Sequence, residues 1–246
     1  MDNPKIGIVI STYQRPDGKT PELLTRTLNA IKDQSYNNWK VYLIGDAYSN
    51  QEEFDEISKI IPSDKILKLN LPVAVERNRY PEGGWELWYS GGIHATNIGI
   101  EFSINEGYNW VCHCDHDELW HKDHLESISG AIQQTNAPFI YTKGYYLGTN
   151  QILPRNINSE ELYINKRPIP SDTINSSCCI NYFQIKLRRR DPNYFYNERD
   201  AGDAAFLKRV NILLNQNNLP SILVNKVTMT NDQEGYTKSV KKEDWK

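Results

Sequence analysis

The sequence predicts an α/β fold with a mostly parallel, twisted sheet flanked by helices, and two observations lead to this prediction. Apolar runs rich in β-branched residues alternate with amphipathic segments along the N-terminal half, as in parallel strands joined by right-handed crossover helices. The 246 residues, 39% of them hydrophobic, are enough for one sizeable core. We expect a single domain over residues 1–246, with two halves, 1–120 and 121–235, and a tail, 236–246.

The first elements follow from local patterns. Lys5 to Ser11 is an uninterrupted apolar run, as in a strand covered on both faces. Thr20 is expected to cap a helix that has Pro21 at its first position and continues to Gln34. The run Trp39 to Ile44 predicts the next strand.

The later elements are predicted on the same criteria, apolar continuity for strands and apolar residues three or four apart for helices. In chain order they are a helix capped by Ser49 or Asn50 that continues to Ile61, a strand over Ile66 to Leu69, an irregular loop over Leu71 to Gly92, a helix over Ile93 to Glu106, a strand over Trp110 to Cys114, a helix over Asp123 to Thr135, a strand over Phe139 to Tyr146, a polar loop over Leu147 to Asp172, a strand over Ser177 to Ile185, a helix over Gly202 to Asn215 and a strand over Ile222 to Met229.

Two carboxylates follow the strand that begins at Trp110. Asp115 and Asp117 are two residues apart, and alternate side chains of an extended segment point to the same side. They are expected at the carboxyl edge of the sheet, where open α/β sheets bind ligands. A magnesium or manganese ion held by one or two carboxylates completes its shell with water and phosphate oxygens. The motif therefore predicts a divalent metal site that also receives a phosphate.

The same segment allows two other interpretations. Zinc-type ligands surround the carboxylates, namely Cys112, His113, Cys114, His116, His121 and His124. Their spacing is unlike that of structural zinc sites, and the other two cysteines, Cys178 and Cys179, are adjacent in sequence. Alternatively, the cysteines are core residues and the aspartates open a loop before a helix.

Charge and composition limit the partners. A net charge of −3 gives no general attraction to nucleic acid or to an anionic membrane, so no nucleic-acid partner is expected. Four cysteines without a disulfide pattern suit the cytoplasm. The first apolar run is too short for a signal peptide or a transmembrane segment. Contact of the lysine- and tryptophan-bearing tail with a membrane surface remains an alternative.

Several segments, in order, resemble the family 2 glycosyltransferases, which have the GT-A fold. They are Ile8 to Pro16 (IVISTYQRP), Gln34 to Trp39 (QSYNNW), Leu43 to Ser49 (LIGDAYS), Gly91 to Tyr108 with the pieces GG, ATNIG and GY, the Asp115 to Asp117 motif, and Gly202 to Arg209 (GDAAFLKR). The chain departs from the family pattern at Gly45, where an Asp is usual, and at Thr96, where an Arg is usual.

This resemblance implies a metal-dependent inverting transferase. It would move a sugar from a nucleotide-diphosphate donor, with UDP favoured, to a hydroxyl of a glycan or glycoconjugate. The implied cofactor is Mn²⁺ or Mg²⁺, bound by Asp117 together with Asp115, which in the family also reaches the ribose. Residues 1–120 would form the nucleotide-sugar and metal half, and residues 121–235 the acceptor half.

The resemblance also assigns individual residues. Thr12 and Asp46 would hold the nucleoside, and Tyr13 would stack or hydrogen-bond near the base. Arg15 would approach the phosphates or ribose, and Arg77 and Arg79 could reach the base or phosphates. In addition, Trp85 or Trp88 could form a platform for the sugar, and Asn231 or Asp232 could make a late metal or phosphate contact.

The catalytic base implied by the resemblance is Asp203, with Asp200 and Glu198 as alternatives. A retaining transferase with the same metal motif would lack such a base. A nucleotidyltransferase would need a Gly-rich basic loop after the first strand, which this sequence lacks. Gly45 and Thr96 leave open a catalytically idle carbohydrate-binding module, and the chain could also be one part of a larger multi-domain enzyme.

Overall fold

The computed structural model describes residues 3–84, 87, 90–185, 187 and 202–231. Within these ranges the α/β class is confirmed. The strands are β1 (Ile6–Thr12), β2 (Trp39–Gly45), β3 (Ile66–Asn70), β4 (Trp110–His113), β5 (Leu119–Trp120), β6 (Phe139–Tyr146), β7 (Gln151–Leu153), β8 (Tyr163–Asn165), β9 (Cys178–Asn181) and β10 (Ser221–Asn231). The helices are α1 (Thr20–Lys32), α2 (Gln51–Ser58), α3 (Val75–Arg79), α4 (Ile93–Asn105), α5 (His124–Thr135) and α6 (Gly202–Gln216).

The strands form one sheet in the order β3-β2-β1-β4-β9-β6-β10-β5, with β7 paired to β6 and β8 paired to β10. The stretch β3-β2-β1-β4 is parallel. Beyond it the sheet is mixed, because β9 runs antiparallel to both β4 and β6. Between β6 and β9 the chain forms β7 and β8, which run antiparallel to β6 and β10, and it then returns to the carboxyl edge, where β9 begins. The entry to β9 therefore lies beside the end of β4.

Most predicted elements are found within a few residues of their predicted bounds, and β6 has the predicted bounds. The capping role predicted for Thr20 is wrong. Lys19 occupies the N-cap of α1 without a side-chain cap, and Thr20 is the first helical residue. The Thr20 hydroxyl instead accepts a hydrogen bond from Arg15 N and donates one to Tyr13 O. The Asn50 cap of α2 is confirmed, since its side chain accepts from Glu53 N.

Apolar side chains bury both faces of the sheet. One cluster joins β1, β2 and β4 to α1, α2 and α5, and a second joins the opposite face to α6. The predicted irregular loop over residues 71–92 contains the short helix α3. In the described part of the chain, no helix is long and apolar enough to cross a membrane.

Candidate active site

The ends of β1, β2 and β4 bring the predicted donor-binding residues together. Thr12 ends β1, and its carbonyl accepts a hydrogen bond from Asp46 N at 2.7 Å. Thr12 and Asp46 are each 1% exposed. Next to them, Cys114 N donates to Val9 O, which continues the β1–β4 pairing toward Asp115. The sheet itself therefore fixes the spacing of these side chains.

Three side chains form a contiguous group above Thr12. Arg77 Nη1 lies 2.9 Å from Asp46 Oδ2, and Nη2 donates to the Asp46 carbonyl. The guanidinium carbon is 4.4 Å from the centre of the Tyr13 ring, in a cation–π contact. Burial raises the pKa of Asp46 above its usual value, and the charge of Arg77 opposes that shift. A ligand that approaches Tyr13 from this side meets Arg77 first.

Arg15 links this group to the Asp-x-Asp motif. Its side chain is 3% exposed, and its guanidinium lies 3.0 Å from Asp17 and 3.6 Å from Asp117 Oδ2. His116 packs edge-on against Tyr13, with ring centres 5.9 Å apart. The loop after β1 therefore contacts the motif through the guanidinium of Arg15 and the ring of Tyr13.

The motif itself is a turn. β4 ends at His113, and Glu118 N donates to Asp115 O at 3.1 Å. The predicted extended geometry of Asp115 and Asp117 is thus wrong, because residues 116–117 form a turn. Helix α1 holds the turn: Arg26 Nη2 donates to Asp117 O, and Thr27 Oγ1 lies 2.7 Å from Glu118 O.

Glu118 is a site residue that the sequence analysis missed. It is 3% exposed, and its side chain accepts a hydrogen bond from Asn231 at the end of β10. Burial raises the pKa of Glu118 well above its usual value, and so do the charges of Asp115, Asp117 and Asp203. The only sequence signal for it is a third carboxylate in four residues. Four acidic side chains therefore influence one another at this corner.

The chemistry of this corner suits a hard cation that takes ligands both from the protein and from a substrate. Within the described ranges, no three His, Cys, Asp or Glu side chains are arranged as a complete metal site. Asp115 and Asp117 still supply carboxylate oxygens amid excess negative charge, and Mg²⁺ or Mn²⁺ held by two carboxylates relies on water and phosphate for its other ligands. The donor set therefore fits a metal that binds together with a phosphate.

Asp203 lies in the first turn of α6. Its charge contributes to the raised pKa of Glu118, the residue that follows the Asp-x-Asp motif. The alternatives Glu198 and Asp200 lie outside the described residues, as do Trp85, Trp88 and Asp232. Of the three candidate bases, Asp203 is the one that lies within the described residues.

The cysteines around the motif are packing residues. Cys112 and Cys179 are partners across β4 and β9, and both are fully buried in one core cluster. Burial raises the pKa of the Cys112 thiol well above its usual value, as does a contact with Cys179. His113 lies on the opposite face, where its ring packs 5.4 Å from that of Phe206. Cys112 and His113 therefore cannot converge on one ion.

The two departures from the family pattern have local packing explanations. A Cβ at Gly45 would lie 2.5 Å from Asn70 Oδ1, so the Asn70 side chain already fills that space. Asn70 in turn accepts from Tyr48 N and donates to Tyr48 O. Thr96 lies 3.1 Å from Ser11 Oγ. Both positions support the strand ends that carry the site.

Unsatisfied polar atoms mark the same edge. Among the described residues, several buried side-chain atoms there have no hydrogen-bond partner: Thr12 Oγ1, Asp46 Oδ1, His116 Nε2, Glu118 Oε2 and Asn231 Oδ1. Each such atom costs about 1–3 kcal/mol when it stays unpaired. A polar ligand at this edge would offset that cost.

Two glycosyltransferases are similar to this chain in sequence. No protein-family model matches the chain. An uncharacterized glycosyltransferase of Acanthamoeba polyphaga mimivirus is 32% identical over 241 residues, which cover 96% of this chain and 96% of that protein. The amylovoran biosynthesis glycosyltransferase AmsB of Erwinia amylovora is 22% identical over 134 residues, 54% of this chain and 38% of that protein.

Two solved structures share the fold. TarS of S. aureus in complex with UDP-GlcNAc gives a TM-score of 0.65 at 16% identity, over 98% of this chain and 63% of that one. The mannosyltransferase PcManGT of Pyrobaculum calidifontis, in complex with GDP-Man and Mn²⁺, gives 0.57 at 12% identity, over 96% of this chain and 59% of that one. This likeness confirms the GT-A-like fold. Given its identity to the mimiviral protein over nearly the whole of both sequences, the chain belongs to the glycosyltransferases.

Proposed function

We propose that this glycosyltransferase moves a sugar from a UDP-linked donor to a hydroxyl of a glycan or glycoconjugate, with inversion at the anomeric carbon. One observation carries the proposal: Thr12, Asp46 and the Tyr13–Arg77 pair converge with the Asp-x-Asp turn on a single edge of the sheet. The complexes of TarS with UDP-GlcNAc and of the mannosyltransferase with GDP-Man and Mn²⁺ support a nucleotide-sugar donor.

The buried groups suit a uracil nucleotide. Uracil offers one imide N–H between two carbonyl oxygens. Asp46 Oδ1 is a buried acceptor without a partner in the described chain, and it could take that N–H. Arg77 presents N–H donors beside it, and bases stack on guanidinium planes as well as on aromatic rings. We therefore assign the nucleoside to Thr12, Tyr13, Asp46 and Arg77, and the ribose or phosphates to Arg15 and Asp115.

The diphosphate would lie over the Asp-x-Asp turn. Asp117, with Asp115, would hold Mn²⁺ or Mg²⁺, which supplies a Lewis acid for the departing nucleotide. Arg15 holds Asp117 from the side of the nucleoside loop. The hydrogen bonds from Arg26 and Thr27 of α1 fix the backbone of the same turn.

Asp203 is the proposed base. It would take the proton of the acceptor hydroxyl as that oxygen attacks the anomeric carbon, while the bond to the nucleotide diphosphate breaks on the opposite face. A carboxylate suits this step because the proton leaves as the new bond forms. One displacement of this kind inverts the configuration of the sugar.

The first test is donor hydrolysis and transfer across a panel of nucleotide sugars, with the anomer of the product read by NMR. We expect a UDP-sugar to be used and the anomer to be inverted. Asp203→Asn should lower kcat by about 10²–10⁴-fold, the usual contribution of a general base, with little change in the KM for the donor. Asp64→Asn, at an exposed carboxylate remote from the edge, is the matched control.

Two results would argue for the retaining alternative. One is a product that keeps the configuration of the donor sugar, and the other is full transfer activity in Asp203→Asn and also in Asp200→Asn and Glu198→Gln. Activity with a donor linked to another nucleotide, and none with UDP-sugars, would instead correct the nucleoside assignment alone.

A further inference from the structure

Glu76 is a buried carboxylate with no role in the site described so far. It lies in α3 and is 1% exposed. Its Oε1 accepts a hydrogen bond from His94 N, in the first turn of α4, at 2.8 Å. The next residue along the chain is Arg77, which contacts Asp46 and Tyr13. We call Tyr13, Asp46 and Arg77 the nucleoside group. Glu76 therefore joins the arginine of this group to a second helix.

Helix α4 is held in a fixed position by close packing against the sheet. It packs against β1 and β2, and a Cβ at Gly99 would lie 2.6 Å from Val9 Cγ1 and 3.2 Å from Ile44 Cγ1. Glycine at this position thus lets the helix lie unusually close to both strands. Those strands end at Thr12 and Gly45, next to the nucleoside group. A side chain that hydrogen-bonds to α4 is therefore held at a fixed position relative to these strand ends.

Glu76 also completes the start of α4. The N-cap residue is Gly92, at φ 73°, and it provides no side-chain cap. The first N–H groups of a helix need acceptors from outside the helix, and a negative charge is favourable there. Glu76 supplies both from α3. Burial raises the pKa of Glu76 above its usual value, as does the nearby charge of Asp46, and the hydrogen bond from His94 N opposes that shift.

We propose that Glu76 is a positioning residue of the donor site: its hydrogen bond to α4 holds Arg77 over the Tyr13 ring and against Asp46 before the nucleotide arrives. A preset guanidinium binds more tightly because less freedom is lost on binding. The inference rests on the donor site proposed above, and it names a residue outside that set.

Two variants separate the effect of the length of the Glu76 side chain from the effect of its charge. Glu76→Gln keeps the length of the side chain and an oxygen that can accept from His94 N, but it removes the charge. Glu76→Asp keeps the charge and is one methylene too short to reach. If the hydrogen bond to α4 positions Arg77, the glutamine variant behaves like the parent chain and the aspartate variant does not.

The first readout needs no ligand. In ¹⁵N-arginine-labelled full-length protein, the Arg77 Nε–H resonance is identified by its loss in Arg77→Lys, and the Tyr13 ring displaces its shift. We expect Glu76→Gln to keep that displaced shift and Glu76→Asp to lose it. Retention of the shift in Glu76→Asp, or its loss in Glu76→Gln, overturns the proposal.

The second readout is UDP binding by calorimetry in the presence of Mn²⁺. Glu76→Asp should weaken binding by about tenfold, since preorganisation is lost. In an Arg77→Ala background the same change should have no further effect, because residues that act through one another are not additive. Full additivity overturns the proposal. If the parent chain binds no UDP, the donor assignment fails, and the arginine resonance still decides the role of Glu76.

Ile132→Ala is the control for general destabilisation. Ile132 lies in the C-terminal half of α5 and belongs to the core cluster on the face of α1 and α2. It should lower the melting temperature while leaving the Arg77 resonance and the UDP affinity unchanged. A change in either one would show that these readouts report loss of stability, and would overturn the positioning role.

Discussion

At the scale of single residues, the Asp-x-Asp turn depends on a hydroxyl from another element. Thr27 is 1% exposed, and its Oγ1 lies 3.0 Å from His116 O and 2.7 Å from Glu118 O. These carbonyls belong to the residues on either side of Asp117. The position of that carboxylate is therefore set partly by α1.

We expect Thr27→Val to loosen the turn with little change in volume. Loss of this buried hydrogen bond should reduce the free energy of unfolding by about 1–3 kcal/mol. The apparent affinity for Mn²⁺ in the presence of UDP should fall more than that for UDP alone. Thr25→Val, on the half-buried flank of the same helix, is the matched control. Equal loss of both affinities would show that Thr27 supports the fold and not the turn.

The sequence predicted which residues meet, and it predicted less well how they meet. Thr12, Asp46 and Asp115 follow strands that lie side by side, so the sheet brings them together whatever their side chains do. Glu76 and Glu118 were missed because the importance of each acid comes from its burial. Burial depends on tertiary contacts, such as that of Glu76 with His94 N, which leave no spacing pattern in the sequence.

At the scale of elements, α5 is joined to β10 through a buried imidazole. His124 is fully buried, its Nδ1 lies 2.7 Å from Thr228 Oγ1, and its ring stacks on Trp120. Burial lowers its pKa from 6.5 to about 3; His121 adds to this shift, and Asp123 opposes it. The folded protein therefore keeps His124 neutral at pH values where the unfolded chain protonates it.

This gives a pH prediction with a definite sign. Above pH 6.5 neither state carries the proton, and His124 adds no pH dependence. As the pH falls below 6.5 the unfolded chain gains a proton that the folded state does not take, and stability falls by about 1.4 kcal/mol per pH unit. The loss continues toward pH 3 and reaches roughly 3–5 kcal/mol.

The measurement is urea unfolding of the parent chain and of His124→Asn between pH 8 and pH 4. Asn keeps a group that can bond Thr228 and cannot be protonated in this range. At pH 8 the difference between the two proteins reports packing alone, and the variant is expected to be the less stable. The difference should shrink below pH 6.5. A constant difference across the range would contradict the prediction.

Element boundaries show where sequence reasoning reached its limit. The apolar runs placed β1, β2 and β6 well, because a strand buried on both faces consists mostly of apolar residues. The pattern could not give the direction of β9, which depends on the path of the chain after β6 and not on its four residues. Similarly, Thr20 looks like a cap locally, but its hydroxyl bonds the loop after β1 instead.

At the scale of the whole molecule, the site lies at the junction of the two parts of the sheet. The parallel part supplies the nucleoside group, whereas Glu118, which follows the Asp-x-Asp motif, accepts a hydrogen bond from Asn231 of the mixed part. Acidic groups gather at this junction, and the described residues give no complete set of three metal ligands. Because two carboxylates leave most positions of a Mg²⁺ or Mn²⁺ shell open, we expect a metal to bind well only when a diphosphate completes its coordination.

This predicts cooperative binding, which thermal unfolding of the full chain can measure. Mn²⁺ alone should raise the melting temperature by only about 1 °C, since two carboxylates leave most ligands to water. Mn²⁺ with UDP at a hundred times its Kd should add about 2.7 kcal/mol, which is about 5–10 °C for a chain of this size. Asp117→Asn should lose the Mn²⁺-dependent part of the shift, and Asp64→Asn should keep it. If Mn²⁺ alone produces the whole shift, the metal site is complete without the nucleotide; if UDP produces it in EDTA, the nucleotide is held without a metal, and either result contradicts the shared coordination that the acidic junction implies.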